Sequence, residues 1–202
     1  MVEARTCIAS HASEGDFAPT SRSLLWKLGY ALVPAEEAEA PALRVVRDDR
    51  LAEVAAPHAE PIILLTQGRG RKSRDPRVLG SVKRPAGLHE LYRLIQVALE
   101  EQPRSAPRAP CSLVAHGSNA DGRWELVVQS LSESGCLVAG AELPAIDTAF
   151  ELAIELPWGV SIATPAVAAY EQGGSLGLVF HGVTLNARKK LAKAVLQLLE
   201  RL

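Results

Sequence analysis

The chain is poor in the features that would tie it to a metal, a membrane or an oxidising compartment. Three cysteines, Cys7, Cys111 and Cys136, are spread through 202 residues, odd in number and far apart. There is no Cys-x-x-Cys pair and no Cys/His cluster, which excludes a disulfide framework and a structural zinc site and predicts a reducing compartment. The histidines, His11, His58, His89, His116 and His181, form no i, i+4 pair, so no metal is expected. No apolar run approaches the roughly 20 residues that cross a bilayer. The start, Met1-Val2-Glu3-Ala4-Arg5, lacks the basic and apolar regions of a signal peptide, so the chain reads as cytoplasmic. Aromatics are only 4% of the residues, which leaves little for stacking on bases and makes nucleic acid an unexpected partner. No charge sign dominates: the net charge is −1, with 14 basic and 14 acidic residues over 1–102 and 8 and 9 over 103–202. Such a balance supplies no overall field toward polyanions. No Gly-x-Ser-x-Gly elbow, P-loop or Gly-x-Gly-x-x-Gly is present, and no catalytic constellation, so the chain does not read as an enzyme.

What is present falls into two patterns. The first half alternates short apolar runs with helical periodicity. Thr6–Ala9, Tyr30–Val33, Leu43–Val46, Pro61–Thr66 and Leu79–Lys83 read as strands. A helix capped by Thr20, with Leu24, Leu25 and Leu28 on its apolar face, closes at Gly29. Leu51–Ala56 reads as a brief helix. Gly87–Glu101 reads as a long one with Leu88, Leu91, Ile95 and Leu99 on one stripe. Strand–helix alternation predicts a parallel sheet covered on both faces. Residues 102–110 interrupt it with Pro103, Pro107 and Pro110. Prolines stop helices and extend the chain, so this stretch is the expected linker between domains 1–101 and 111–202.

After the linker the period becomes two. Phe150, Leu152, Ile154 and Leu156 alternate with polar or small residues. Glu125–Gln129, Cys136–Val138, Val160–Tyr170 and Ser175–Phe180 are further strands, the last two joined across Gln172-Gly173-Gly174. Short strands at near-regular spacing predict a small barrel or sandwich. A final helix over Ala187–Leu202 carries Leu191, Val195, Leu198 and Leu202 on one stripe, with Arg188, Lys189, Lys190 and Lys193 elsewhere. Cys111 and Cys136 read as packing residues on barrel strands.

Two motifs carry chemistry. Arg104-Ser105-Ala106-Pro107-Arg108 sets two arginines four apart before the barrel, and Ser130-Leu131-Ser132-Glu133-Ser134-Gly135 follows 22 positions after Arg108. This pair, inside this strand pattern, resembles the PilZ family, which carries Arg-x-x-x-Arg before its first strand and Asp/Asn-x-Ser-x-x-Gly after its second. The resemblance covers roughly residues 103–202. It implies a six-stranded barrel with a C-terminal helix and a cyclic di-GMP ligand bound by Arg104, Arg108, Ser130, Ser132 and Gly135. Guanidinium forks suit guanine O6/N7 and phosphate oxygens. At the Asp/Asn position this chain has Ser130, whose single, shorter oxygen loses a contact to guanine worth about 0.5–1.5 kcal/mol.

The first half resembles a response-regulator receiver domain, a flavodoxin-like parallel sheet, over about residues 3–101. The match rests on Thr66 after the fourth strand, Lys83 after the fifth, and Asp48 or Asp49 at the acceptor position after the third. Arg84 intervenes between Lys83 and Pro85. The acidic pair that holds magnesium in that family is replaced by Ser10 and His11, with Glu14 and Asp16 further along, so phosphotransfer charge lacks its neutralising ion. A pseudo-receiver is the expectation. Arg69, Arg71, Lys72, Arg74 and Arg77, with Lys83 and Arg84, form the one strong basic cluster, read as a solvated loop. Two functions follow: a cyclic di-GMP receptor signalling to a protein partner, or a module that binds no nucleotide and contacts signalling or motility proteins directly.

Overall fold

The computed structural model describes residues 5–54, 59–68, 73–101 and 103–202. The chain divides into two compact units, Met1–Ser105 and Ala106–Leu202.

In the first unit the elements run β1 (Thr6–His11), α1 (Ser21–Lys27), β2 (Tyr30–Pro34), β3 (Leu43–Arg47), a 3-10 turn (Asp48–Glu53), β4 (Ile62–Thr66), β5 (Val78–Lys83) and α2 (Leu88–Leu99). All five strands are parallel, in the order β2-β1-β3-β4-β5. That is the flavodoxin-like order, with its switch point between β1 and β3. The central strands are short apolar runs buried on both sides, as parallel strands are: Ile8, Val45, Val46, Ile62, Ile63 and Leu65 are fully excluded from solvent.

The two faces are covered unequally. On the face of Val46, Ile62 and Leu64, cover comes from Leu51 and Val54 of the 3-10 turn region. On the other face Gly80, in register with Ile63, lies under α2; a Cβ at Gly80 would stand 2.9 Å from Leu94 Cδ2. The sequence predicts a parallel sheet covered on both faces, with the second helix short or absent between Pro34 and Pro41. Among the described residues the helices are α1 and α2, which touch each other, and the opposite face has only the 3-10 turn. The β2–β3 connection is bracketed by Pro34 and Pro41, which deny it a helix. The brief helix expected at Leu51–Ala56 is the 3-10 turn Asp48–Glu53, shifted toward β3; residues 55–58, His58 included, lie outside the described residues. Thr20 does sit at the N-cap of α1, but with φ 65° and no side-chain capping bond. Gly29 closes the helix as expected, at φ 93°, a conformation glycine adopts without strain.

The second unit runs β6 (Ala109–Ser118), β7 (Arg123–Leu131), β8 (Gly135–Ala139), β9 (Ala149–Glu155), β10 (Ser161–Gln172), β11 (Ser175–Phe180) and α3 (Leu185–Arg201). The six strands close into an antiparallel barrel in the order β10-β11-β8-β7-β6-β9, sealed by β9 pairing with β10. Alternation is clean. Phe150, Leu152 and Ile154 point inward while Glu151 and Glu155 face solvent. The expected Gly173-Gly174 turn joins β10 and β11 with both φ values positive (57° and 78°), the hairpin geometry that favours glycine. Thr184 caps α3, its Oγ1 accepting from the Ala187 N–H at 3.2 Å. Leu191, Ala194, Val195, Leu198 and Leu199 are buried. Leu202, expected on that stripe, is 60% exposed; the helix ends at Arg201, and Leu199 takes the inward place.

Candidate functional site

In the barrel the arginine motif and the serine–glycine turn converge. Ala109 pairs with Leu131 and Pro110 with Ser130, so Arg108 and Ser132 are the next residues of the two chains beyond this end of the ladder. The half-buried Arg108 donates from Nη1 to the Tyr170 hydroxyl at 3.4 Å. Tyr170 pairs with Gly177, and its ring lies over that glycine. The row continues laterally through Leu137, Ser130 and Pro110.

The turn is held by its own hydrogen bonds. Ser132 is 1% exposed; its N–H and its hydroxyl both donate to the Gly135 carbonyl, at 2.8 and 2.9 Å. Ser134 N–H donates back to Ser132 Oγ at 3.4 Å. Gly135 is required for close approach: a Cβ there would fall 2.2 Å from the Leu178 carbonyl oxygen of β11. Ser130 is half-buried at a register shift in β7. The neighbouring Gln129 accepts from Ser175 Oγ at 2.9 Å. Burial pushes the Cys136 thiol far up, and the Cys111 thiol up to about 11, so both pack as neutral groups. Tyr170 and Gln129 were not singled out from sequence. The signal for Tyr170 was the bare Gly177 in the paired strand, which needs a large neighbour.

Arg104 belongs to the first unit. Its side chain is exposed and its backbone N–H donates to Gln96 Oε1 of α2 at 3.1 Å. Gln96 Nε2 in turn donates to the Tyr30 hydroxyl at 2.5 Å. The structure thus brings Arg108, Ser130, Ser132 and Gly135 together in one unit and ties Arg104 to the other.

At the carboxyl edge of the parallel sheet the receiver-like positions form an ion network centred on Asp16, which is 7% exposed. Arg84 Nη1 donates to Asp16 Oδ1 at 2.9 Å, with its side chain only 10% exposed. Ser13 N–H and Oγ donate to Asp16 Oδ2 at 2.9 and 2.8 Å. Arg47 Nη1 lies 3.9 Å from that oxygen, while Arg47 Nη2 donates to Asp49 Oδ2 at 2.6 Å. Asp48 accepts from Arg84 Nη2 at 3.5 Å. The backbone joins in: Ala86 N–H donates to the Asp16 carbonyl at 2.8 Å and Arg84 N–H to that of Thr66 at 2.8 Å. Thr66 is 4% exposed, its hydroxyl donating to the Gly68 carbonyl at 3.2 Å, while Lys83 is exposed. Asp48 and Asp49 are therefore arginine partners. Among the described residues no group of three His, Cys, Asp or Glu side chains is placed to hold a metal ion. Of the basic cluster, Arg69, Arg71 and Lys72 lie outside the described residues. Arg77 is bound to Asp75 and the Val54 carbonyl, and Arg84 to Asp16, so neither belongs to a solvated basic loop. The hub role of Asp16 was missed; the Ser13-x-x-Asp16 capping box was its sequence signal.

Burial pushes the Asp16 carboxyl up, but the hydrogen bonds from Arg84 and Ser13 and the Arg47 charge outweigh it and hold the group below its ordinary 3.8. A lowered carboxylate stabilises the fold above its unfolded value and stops doing so as pH falls through the folded one. Urea midpoints are expected to fall below about pH 4. In Asp16→Asn that acid-limb contribution should be missing, read as a flatter pH profile alongside lower stability at pH 7.

Solved structures similar to the second half include the PilZ domain of Escherichia coli YcgR with c-di-GMP (16% identity, 50% of this chain, 93% of that chain, TM-score 0.42). The Bacillus subtilis inhibitor of motility MotI/DgrA (17%, 48% and 50%, 0.41) and the K. pneumonia MrkH–c-di-GMP complex (16%, 50% and 54%, 0.42) are similar too. This chain spans about half the length of those last two. Curated proteins give no match. The family described as PilZ domain matches residues 102–197, which contain the closed six-stranded barrel, most of α3 and both motifs. Residues 102–197 of this chain are a PilZ domain.

Proposed function

We propose that this protein is a cyclic di-GMP receptor that passes ligand binding to a protein partner in signalling or motility, and that it catalyses no reaction. The observation that carries the reading is Arg108 standing beside the Ser132–Gly135 turn within a PilZ domain. Arg108 and Arg104 supply the guanidinium contacts to guanine and phosphate, and Ser130, Ser132 and Gly135 shape the turn against the ligand. Arg104 and Arg108 stand four residues apart in the proline-rich segment before β6, so a ligand engaging both orders that segment. The first unit is a receiver-like domain that is not phosphorylated: Asp48 and Asp49 are already partnered by Arg84 and Arg47.

Titration calorimetry of the full chain with cyclic di-GMP tests this. Binding is expected, with Arg108→Ala losing about a hundredfold or more in affinity, the size of one or two charge-assisted hydrogen bonds. Ser130→Asp, which restores the second oxygen, should tighten binding roughly tenfold. Absence of heat at high micromolar ligand, or an unaltered Arg108→Ala titration, rejects the reading. The second reading, a PilZ module that contacts proteins without nucleotide, is favoured by one observation: the Ser132 hydroxyl already donates to the Gly135 carbonyl of its own turn.

A further inference from the structure

Gln96 is the one amide among the buried side chains of α2, whose other buried residues are Leu88, Leu91, Tyr92, Leu94 and Ile95. It is 5% exposed. Burying an amide is costly unless both of its ends are bonded. Gln96 is bonded at both: Nε2 donates to the Tyr30 hydroxyl at 2.5 Å, and Oε1 accepts from the Arg104 backbone N–H at 3.1 Å. Tyr30 is itself fixed. It is 6% exposed, its ring meets Tyr92 edge-on at 6.2 Å, and its hydroxyl donates on to Glu100 Oε1 at 3.4 Å. Burial, with the Glu100 charge beside it, pushes the Tyr30 phenol up, so it stays a neutral donor.

These bonds form a clasp at the exit of α2. The helix ends at Leu99 and Glu100 turns extended, with φ −112° and ψ 136°. The Glu100 N–H still donates to the Gln96 carbonyl at 2.9 Å. Four residues on, the side chain of the same glutamine catches the chain again at Arg104. The Arg104 side chain is exposed, and among the described residues its guanidinium has no hydrogen bond or ion pair. A fixed backbone thus carries a free guanidinium. Giving up the backbone bond would leave the buried Oε1 unpaired, so the clasp resists release.

We propose that Gln96 is a positioning residue for cyclic di-GMP. By holding the Arg104 backbone against α2 it presents that guanidinium from a set point, and the ligand is spared the ordering of the residue that carries it. Gln96 acts through Arg104 rather than on the ligand. This role rests on the receptor reading above. The parallel-sheet unit then has a use that needs no phosphoryl group: β2 and α2 hold one arginine of the motif.

Calorimetric titration of the full chain with cyclic di-GMP, beside NMR amide exchange at Arg104 without ligand, tests it. The Arg104 N–H should be protected in the parent chain. Gln96→Met keeps the side-chain volume and removes both bonds. It should expose the Arg104 N–H to exchange and weaken binding about tenfold, the size of ordering one freed residue. Gln96→Glu keeps an acceptor oxygen for that N–H but loses the donor to Tyr30. It should lower the urea midpoint while keeping the Arg104 protection and most of the affinity. A glutamine that serves the fold alone would let affinity follow stability in both variants, and that pattern overturns the proposal. So does an Arg104 N–H that exchanges freely in the parent chain. Gln96→Met binding as tightly as the parent overturns this role and leaves the receptor reading standing. A parent chain that gives no heat at high micromolar ligand removes the receptor reading, and this role with it.

Discussion

Arg84→Ala is expected to destabilise the first unit by about 3–5 kcal/mol, the range for removing one partner of a buried ion pair. The reason is what the arginine leaves behind. Asp16 is 7% exposed, and Arg84 supplies its closest cation, 2.9 Å from Oδ1. Ser13 would still donate two hydrogen bonds to the other oxygen, but the charge would have lost its main compensation. Asp48 would lose its guanidinium as well, at small cost because it is exposed. Urea unfolding followed through Trp26, the tryptophan of this unit, would read the loss. Combining Arg84→Met with Asp16→Asn removes both charges and should recover much of the stability, since the penalty lies in the orphaned carboxylate. A single Arg84→Ala change that leaves the midpoint unmoved would show that the network contributes nothing to folding.

The second large effect is Gly135→Ala. Its Cβ would fall 2.2 Å from the Leu178 carbonyl oxygen, a backbone atom of the neighbouring strand that cannot rotate aside. β8 and β11 would have to separate where Val179 pairs with Gly135, and the Phe180 N–H that donates to the Ser134 carbonyl at 2.9 Å would be displaced too. A cost of roughly 3 kcal/mol or more follows, at or above the upper range for overpacking. Gly122→Ala is the contrast: its Cβ would meet Trp124 Cζ2 at 3.4 Å, ordinary contact, and should cost under about 1 kcal/mol. Denaturation read through Trp124 and Trp158 of the barrel separates the two. If the chain binds cyclic di-GMP as proposed, Gly135→Ala should also weaken that binding, for a reason unlike that of Arg108→Ala: the turn itself is deformed.

These cases show what sequence could carry. The strands of the first unit were legible because Ile62–Thr66 and its neighbours are compact apolar runs, and buried parallel strands have that composition. β9 was legible because Phe150, Leu152 and Ile154 alternate with outward residues. β6 was harder. Ala109–Ser118 alternates in burial, but its inward residues include Ala115 and Gly117, too small to register as apolar period-two. Gly117 is small because Phe150 and Trp124 occupy its side-chain space, a fact of tertiary packing. The arginine–serine–glycine pairing was visible as spacing, whereas the internal hydrogen bonding of Ser132 was not, because it depends on where the Gly135 carbonyl points. At the sheet edge, Asp48, Asp49, Thr66 and Lys83 were found by position along the chain. The partner that matters most, Asp16 with Arg84, joins residues 68 apart and became visible only when the segment after β1 was laid beside the one after β5.

Closure of the barrel constrains recognition of the second unit. With β9 bonded to both β6 and β10, every strand has a neighbour on each side, and unpaired backbone is confined to short stretches, 109–114 of β6 beyond its register with β9 and 123–126 of β7 beyond its register with β8. Most of the surface open to a partner is therefore protruding side chains and the loops at the two mouths, where single substitutions can retune affinity without disturbing the wall that carries them.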